Sequence, residues 1–219
     1  MVLFSKLCLT NKQCSVIGEM SAKERKQRQQ SEMREAILSS ALKLFAEEGF
    51  ENVTMRKIAT EIEYSVGTLY LYFKDKNEIF FELHNKGFSE FYKKQLSVQK
   101  IKAPIDRLAA HGLAYVEFAI DNPEYYDLMF ISRAPAKAIK KNKNWESGLK
   151  TYNLLKQNII EVKKAGKFKN VDIEVAAFSL WAFVHGVSSL YVRERIILFP
   201  ADSLKEIITG SLGFLQRAY

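Results

Sequence analysis

Apolar residues recur along this chain at spacings of three and four, never in an alternating run long enough for a strand. From about residue 31 to 48, Ile37, Leu38, Ala41, Leu42 and Phe45 make one stripe of an amphipathic helix. Gly49 can end that helix in a left-handed turn, with Phe50 packing back over it. A short helix over residues 54–62 buries Ile58, Ala59 and Ile62, and Thr54 caps its start. Ser65 is a second N-cap so close behind Ile62 that the chain must turn between them. The helix it opens, over residues 66–73, buries Leu69 and Phe73 and leaves Gly67, Thr68, Tyr70 and Tyr72 outside. Two short helices across a tight corner predict a helix-turn-helix, whose second helix enters the DNA major groove.

The same periodicity fills the rest of the chain. Asp75 and Glu78 have the spacing of a capping box and open a helix over residues 75–96, burying Ile79, Phe80, Leu83, Phe88 and Phe91. A helix over 105–120 buries Leu108, Leu113 and Val116. Asn122-Pro123-Glu124 reads as an N-cap, a first-turn proline and a first-turn acid, opening a short helix through Tyr126, Met129 and Phe130. Residues 134–144, with Lys137, Lys140, Lys141 and Lys143, read as a solvated loop. Helices over 145–165 (ending at Gly166), 172–194 and 202–217 complete the chain. The expected fold is all-α, with about nine helices: an N-terminal three-helix helix-turn-helix domain, then a helical effector and dimerisation domain.

Composition narrows this only a little. The 219 residues are 47% hydrophobic with 4 prolines, as in an ordinary globular protein. A net charge of +8 favours a polyanionic partner, although solubility alone accounts for it equally simply. No run of apolar residues reaches the length of a membrane span, so no membrane partner is expected. The 2 cysteines, Cys8 and Cys14, both precede Met20. The folded part therefore has neither a disulfide framework nor a cysteine zinc site, which fits a cytoplasmic protein. Residues 1–22 read as a disordered extension, or residues 1–19 as an over-extended start before Met20. Lys23, Arg25, Lys26 and Arg28 follow as a basic arm, either a minor-groove contact or a solvated tail.

The run ALKLFAEEGFENVTMRKIATEI, followed by GTLYLYFKDKNEIF, resembles the DNA-binding domain of the TetR family of bacterial repressors. What carries the resemblance is the joint occurrence of Phe-x-x-x-Gly-Phe, Thr-x-x-x-Ile-Ala and Gly-Thr-Leu-Tyr-x-Tyr-Phe at these spacings. Trp181-Ala182-Phe183-Val184-His185-Gly186 is similar to the Trp-His-Gly signature of one TetR C-terminal subclass, as is Asn122-Pro123-Glu124-Tyr125-Tyr126. The resemblance implies domains at 23–80 for DNA binding and 81–219 for ligand binding and dimerisation. It also implies a homodimer through the last two helices and a small-molecule effector. Ile207, Ile208, Leu212, Phe214 and Leu215 give the last helix an apolar surface that either forms that dimer or completes the monomer core. The chain departs from the family at the corner, where Glu63 and then Tyr64 replace the usual small residue. If Glu63 needs a positive φ, it carries local strain.

Phosphate contacts position a DNA reader and base contacts specify. Thr54 and Ser65 sit at helix starts that favour phosphate, flanked by Arg56, Lys57, Lys74 and Lys76. The resemblance places Ser65, Val66, Gly67, Thr68, Tyr70, Tyr72 and Lys76 at contacting positions. Of Tyr70 and Tyr72, one is expected to pack and the other to meet DNA. Val66 can meet a thymine methyl. The candidate effector pocket comprises Tyr115, Phe118, Tyr126, Met129, Phe130, Tyr152, Trp181 and His185. Each of these aromatics taken singly is more often plain core, and His185 a structural histidine.

No cofactor and no metal is expected, since the three histidines His84, His111 and His185 are far apart in sequence. An enzyme lacks support, for there is no Ser/His/Asp or Cys/His set, no Gly-rich phosphate loop and no His-Glu-x-x-His. A helical adaptor that binds only protein would leave the basic helix starts without a role. The sequence therefore points to a ligand-responsive regulator, a repressor more readily than an activator, dimeric on a palindromic operator.

Overall fold

A computed structural model describes residues 21–132 and 146–217. Expectations for the N-terminal extension with Cys8 and Cys14, and for the lysine-rich loop at 134–144, lie outside the described residues. The chain divides into two compact units, residues 1–36 and 37–219.

In the first unit the described residues form the start of α1 (Ala22–Glu48). The helix begins nine residues before the expected position, so Lys23, Arg25, Lys26 and Arg28 stand on a helix and not on a loose arm. The physical reason is a capping box. Ser21 N–H donates to Glu24 Oε2 at 2.7 Å, and Glu24 N–H donates to Ser21 Oγ at 3.2 Å. The i,i+4 pair Arg28–Glu32 supports the next turn.

In the second unit α1 continues through the buried stripe Ile37, Leu38, Ala41, Leu44 and Phe45. Leu44 takes the place expected of Leu42, which is only partly buried. A 3₁₀ turn (Phe50–Asn52) leads to α2 (Met55–Glu61), α3 (Val66–Tyr70) and α4 (Lys76–Ser97). Phe45, Phe50 and Phe80 form an aromatic cluster with centroids 4.9–6.0 Å apart. It fastens the end of α1 to α4. After α4 come α5 (Pro104–Asp121) and the short α6 (Pro123–Tyr126), which widens into a π-turn over Asp127–Ile131. Then α7 (Glu146–Lys164), α8 (Ile173–Val192) and α9 (Leu204–Arg217) follow. The described residues thus hold nine α-helices and no strand.

Asn122 stands at the N-cap position of α6, but its side chain makes no capping hydrogen bond there. Its Nδ2 donates back to the Phe118 carbonyl at 3.1 Å, closing the end of α5. Leu113 is only partly buried, because α5 turns Leu108, His111, Ala114, Tyr115, Val116 and Phe118 inward. One core cluster joins Phe88 and Phe91 of α4 to Tyr115 and Phe118 of α5, Tyr126, Val184 and Ile208. A second gathers Leu108, Leu155, Ile159 and Ala177 where α5, α7 and α8 meet. At Gly87 the α6 segment crosses α4 so closely that a Cβ would come within 2.5 Å of Met129 Sδ. Only glycine fits that crossing without displacing Met129. By length and composition α8 is apolar enough to cross a membrane, yet Glu174 and His185 lie in it. Its inner side, with Ala176, Ala177, Val184 and Ser188, is buried, while Val175, Phe178 and Leu190 are exposed.

Candidate DNA-binding surface and effector cavity

The corner between α2 and α3 is a Schellman turn. Tyr64 N–H donates to the Ala59 carbonyl at 2.9 Å and Glu63 N–H to the Thr60 carbonyl at 3.1 Å. That motif requires a left-handed residue, and Glu63 supplies it at φ 59°. Both helix starts are capped by the expected residues. Thr54 Oγ1 accepts from Lys57 N–H at 3.2 Å, and Ser65 Oγ accepts from Thr68 N–H at 3.1 Å. Ser65 Oγ also lies 2.9 Å from Thr68 Oγ1, so these two hydroxyls hold one another. With Leu69 and Phe73 buried beneath, α3 turns Gly67 and Tyr70 to solvent.

The basic residues divide by what already occupies them. Lys57 pairs with Glu48. Lys76 Nζ donates to three backbone carbonyls, those of Phe50, Glu51 and Val53, at 2.8, 3.2 and 2.9 Å. It also lies 4.4 Å from the Phe50 ring centre. Among the described residues, the Arg56 and Lys74 side chains have neither a hydrogen bond nor an ion pair.

A cavity of about 300 Å³ opens between α4, α5, α7 and α8. Phe91, Tyr115, Phe130, Tyr152 and Trp181 make much of its wall, with Gln95, His111 and Thr151 as its polar points. Behind it, Tyr126 and Tyr115 hydroxyls lie 2.9 and 3.2 Å from His185 Nδ1, so His185 ties α8 to α5 and α6. Burial holds its pKa below the usual histidine value and raises both tyrosines above theirs.

The sequence profile described as "Bacterial regulatory proteins, tetR family" matches residues 37–83. A second, "Tetracyclin repressor-like, C-terminal domain", matches residues 108–210. The chain belongs to the TetR family of transcriptional regulators. It is similar to the HTH-type transcriptional regulator HbdR of Aromatoleum sp. (strain CIB), 26% identical over 76% of this chain and 79% of that one. Among solved structures it resembles a TetR-family regulator from Syntrophomonas wolfei, at TM-score 0.63 and 24% identity, over 85% of this chain and 95% of that one. It also resembles the fatty acid degradation regulator FadR from Bacillus halodurans, at TM-score 0.61 and 19% identity, over 82% and 93%. Both structures share the TetR fold.

On this TetR frame the sequence-derived DNA set divides. Thr54, Arg56, Lys57, Ser65, Gly67, Tyr70 and Lys74 are exposed around α2 and α3, while Val66, Thr68 and Tyr72 are half-buried. Lys76, expected on phosphate, is committed to carbonyls, because the 3₁₀ turn ends with its carbonyls facing α4. Tyr64 and Leu71, 50% and 82% exposed, stand beside the set and were missed. For Leu71 the signal was its position off the spacing that buries Leu69 and Phe73. Of the expected pocket residues, Tyr115, Phe130, Tyr152 and Trp181 line the cavity. Phe118, Tyr126 and Met129 do not, since each is turned into the core beside α4 and α8. His185 stands behind the wall on the two tyrosines. Gln95 and His111 line the cavity and were missed, because neither breaks the helical pattern in a way the sequence reveals.

Proposed function

We propose that this TetR regulator is a ligand-responsive repressor in the cytoplasm, binding a palindromic operator as a homodimer. In this reading residues 23–80 form the DNA-binding domain and 81–219 the effector and dimerisation domain. The observation that carries the reading is the outer face of α2 and α3. Tyr70 and Leu71 project from the end of α3, and Arg56 and Lys74 flank it with side chains that have neither a hydrogen bond nor an ion pair among the described residues. Arg56 and Lys74 would hold phosphates, while Tyr70, Leu71 and Val66 would meet base edges and thymine methyls. Lys76 acts by holding the turn that aims α2.

One α3 reads too few bases for useful specificity, and a two-fold dimer reads two half-sites. The pairing face would be the uncovered side of α8 and α9. Val175, Phe178 and Leu190 are exposed on α8, and Ile207 and Phe214 on α9. Covering such a patch with a second copy removes apolar surface from water. The inner side of α9, Ile208 and Leu212, already packs on the core. Coupling would run along α4, which carries Phe80 and Leu83 below the helix-turn-helix and Phe91 and Gln95 at the cavity. A ligand that fits the cavity in only one arrangement of α4 shifts the separation of the two α3 helices.

Sequencing DNA captured by the full-length protein, then a mobility-shift assay on the recovered site, tests the reading. A palindromic site bound by a dimer is the expected result. Light scattering should show a dimer that Phe178→Glu converts to monomer, with loss of operator binding. Wild-type protein that binds no DNA at low salt would refute the proposal.

A further inference from the structure

Each polar side chain in the cavity wall is engaged with another part of the protein. Thr151 Oγ1 donates to the Gly148 carbonyl at 2.8 Å. The Tyr115 hydroxyl lies 3.2 Å from His185 Nδ1 and also pairs with the Trp181 indole. Both ring nitrogens of His111 face side-chain amides, that of Asn158 at 3.2 Å and that of Gln95 at 3.1 Å. Burial pulls His111 down to a pKa of about 4, so at neutral pH the ring is uncharged. Gln95 Oε1 is closed off from the cavity, with almost no accessible surface of its own.

Charge is absent from the wall as well: no Asp, Glu, Lys or Arg among the described residues lines the cavity. At its Tyr152 edge the hydroxyl donates to Glu174 Oε2 at 3.1 Å, and Glu174 pairs in turn with Lys156 at 2.8 Å. That carboxylate and that ammonium neutralise one another, so neither is left as a counter-ion for a guest. The surface offered to a guest is apolar, made by the rings of Phe91, Phe130 and Trp181 and by Leu108, Leu155 and Leu180.

A molecule entering such a site gains by removing hydrocarbon surface from water. Any hydroxyl or carboxylate that it carries gives up hydration without replacement. An apolar cavity of about 150 Å³ takes one benzene. This one, at about 300 Å³, has room for a benzene ring and a short alkyl chain, about ten non-hydrogen atoms in all. We propose that the cavity takes an uncharged aromatic or branched hydrocarbon of this size, held by burial alone, and rejects its carboxylate analogue. The proposal names the class of ligand for the effector cavity and rests on the effector reading for its biological meaning only.

The test is calorimetric titration of the full-length protein at neutral pH with butylbenzene, 4-phenyl-1-butanol and 4-phenylbutyrate. Butylbenzene should bind tightest, the alcohol roughly tenfold more weakly, and the carboxylate weakest of the three. The chain has 2 tryptophans, so in Trp145→Phe protein the emission comes from Trp181 alone, and butylbenzene should shift it. Leu180→Arg sets a cation at the wall and should turn the preference towards 4-phenylbutyrate. Equal or tighter binding of the alcohol or the carboxylate by the wild type would overturn the proposal, as would no binding of butylbenzene. So would an unmoved Trp181 emission, or a preference that Leu180→Arg leaves unchanged. If that variant does not fold, the wild-type order and the emission decide. Failure of the ligand-responsive reading looks different: butylbenzene binds with this selectivity, yet operator affinity does not change.

Discussion

The α2–α3 end and the helical core around the cavity are built by opposite means. At the α2–α3 end the caps and the corner close over a few residues: Thr54 to Lys57, Ser65 to Thr68, Tyr64 to Ala59. Its outer face is wet, and several side chains there do nothing for the fold. In the core, partners come from 50 to 70 residues away, as in Arg107 with Asn158 and Tyr115 with His185. Large aromatics lie there with ring centres 5–6 Å apart. One end keeps its stability in caps and a buried floor, leaving a face for DNA. The other lines its cavity with the same side chains that hold the core, so a change there alters both.

The difference can be broken most forcefully at Phe91. Phe91→Ala should cost about 3–5 kcal/mol in a denaturation experiment, because the ring is buried between Tyr115 and Phe118. Tyr70→Ala, at a side chain 55% exposed, should change stability by less than about 0.5 kcal/mol while weakening operator binding. If the two variants lose similar stability, the division is wrong.

Acid tests the core next. Burial depresses both His84 and His111 to a pKa of about 4, below the ordinary 6.5. The unfolded chain therefore takes up protons first as pH falls. Their contribution is fully present above pH 6.5 and is lost between about 6.5 and 4. It amounts to at most about 3 kcal/mol per histidine, and urea midpoints across that range would measure it.

Two smaller changes sharpen the comparison at the reading end. Lys76→Met should cost about 2 kcal/mol, since it leaves carbonyls of the 3₁₀ turn without their charged donor. A Lys76 that acted on phosphate alone would leave the melting temperature unmoved. Glu63→Gly should stabilise by about 1 kcal/mol, because glycine takes φ 59° without the Cβ clash. A lower melting temperature would show that Glu63 is not strained.

The same contrast explains how much of the molecule is legible in its sequence. The caps, the corner and the order of helices are legible because their signals are local: Thr54, Ser65, Asp75 and Gly49 each act within a turn of themselves. The outward set at α3 follows from the spacing of Leu69 and Phe73. The role of Lys76 is not legible, because its partners lie 23 to 26 residues back. Gln95 and His111 stay hidden for the same reason. At helical spacing an inward polar residue looks the same whether it faces a neighbour helix or a cavity. Phe118, Tyr126 and Met129 show the converse, since an aromatic or thioether stripe does not say which members border empty space. The early start of α1 is legible in Ser21-x-x-Glu24, but the density of positive charge after it suggests a tail.

The central claim is that the outer face of α2 and α3 binds DNA through groups the fold does not need. It is tested most directly by measuring operator affinity against salt concentration for wild type and for Arg56→Ala with Lys74→Ala. The variant should bind every sequence more weakly, at an unchanged melting temperature. Its salt slope should be shallower by about one for each phosphate that it no longer neutralises. An unchanged slope and affinity would contradict the account, as would a loss of binding that only follows unfolding.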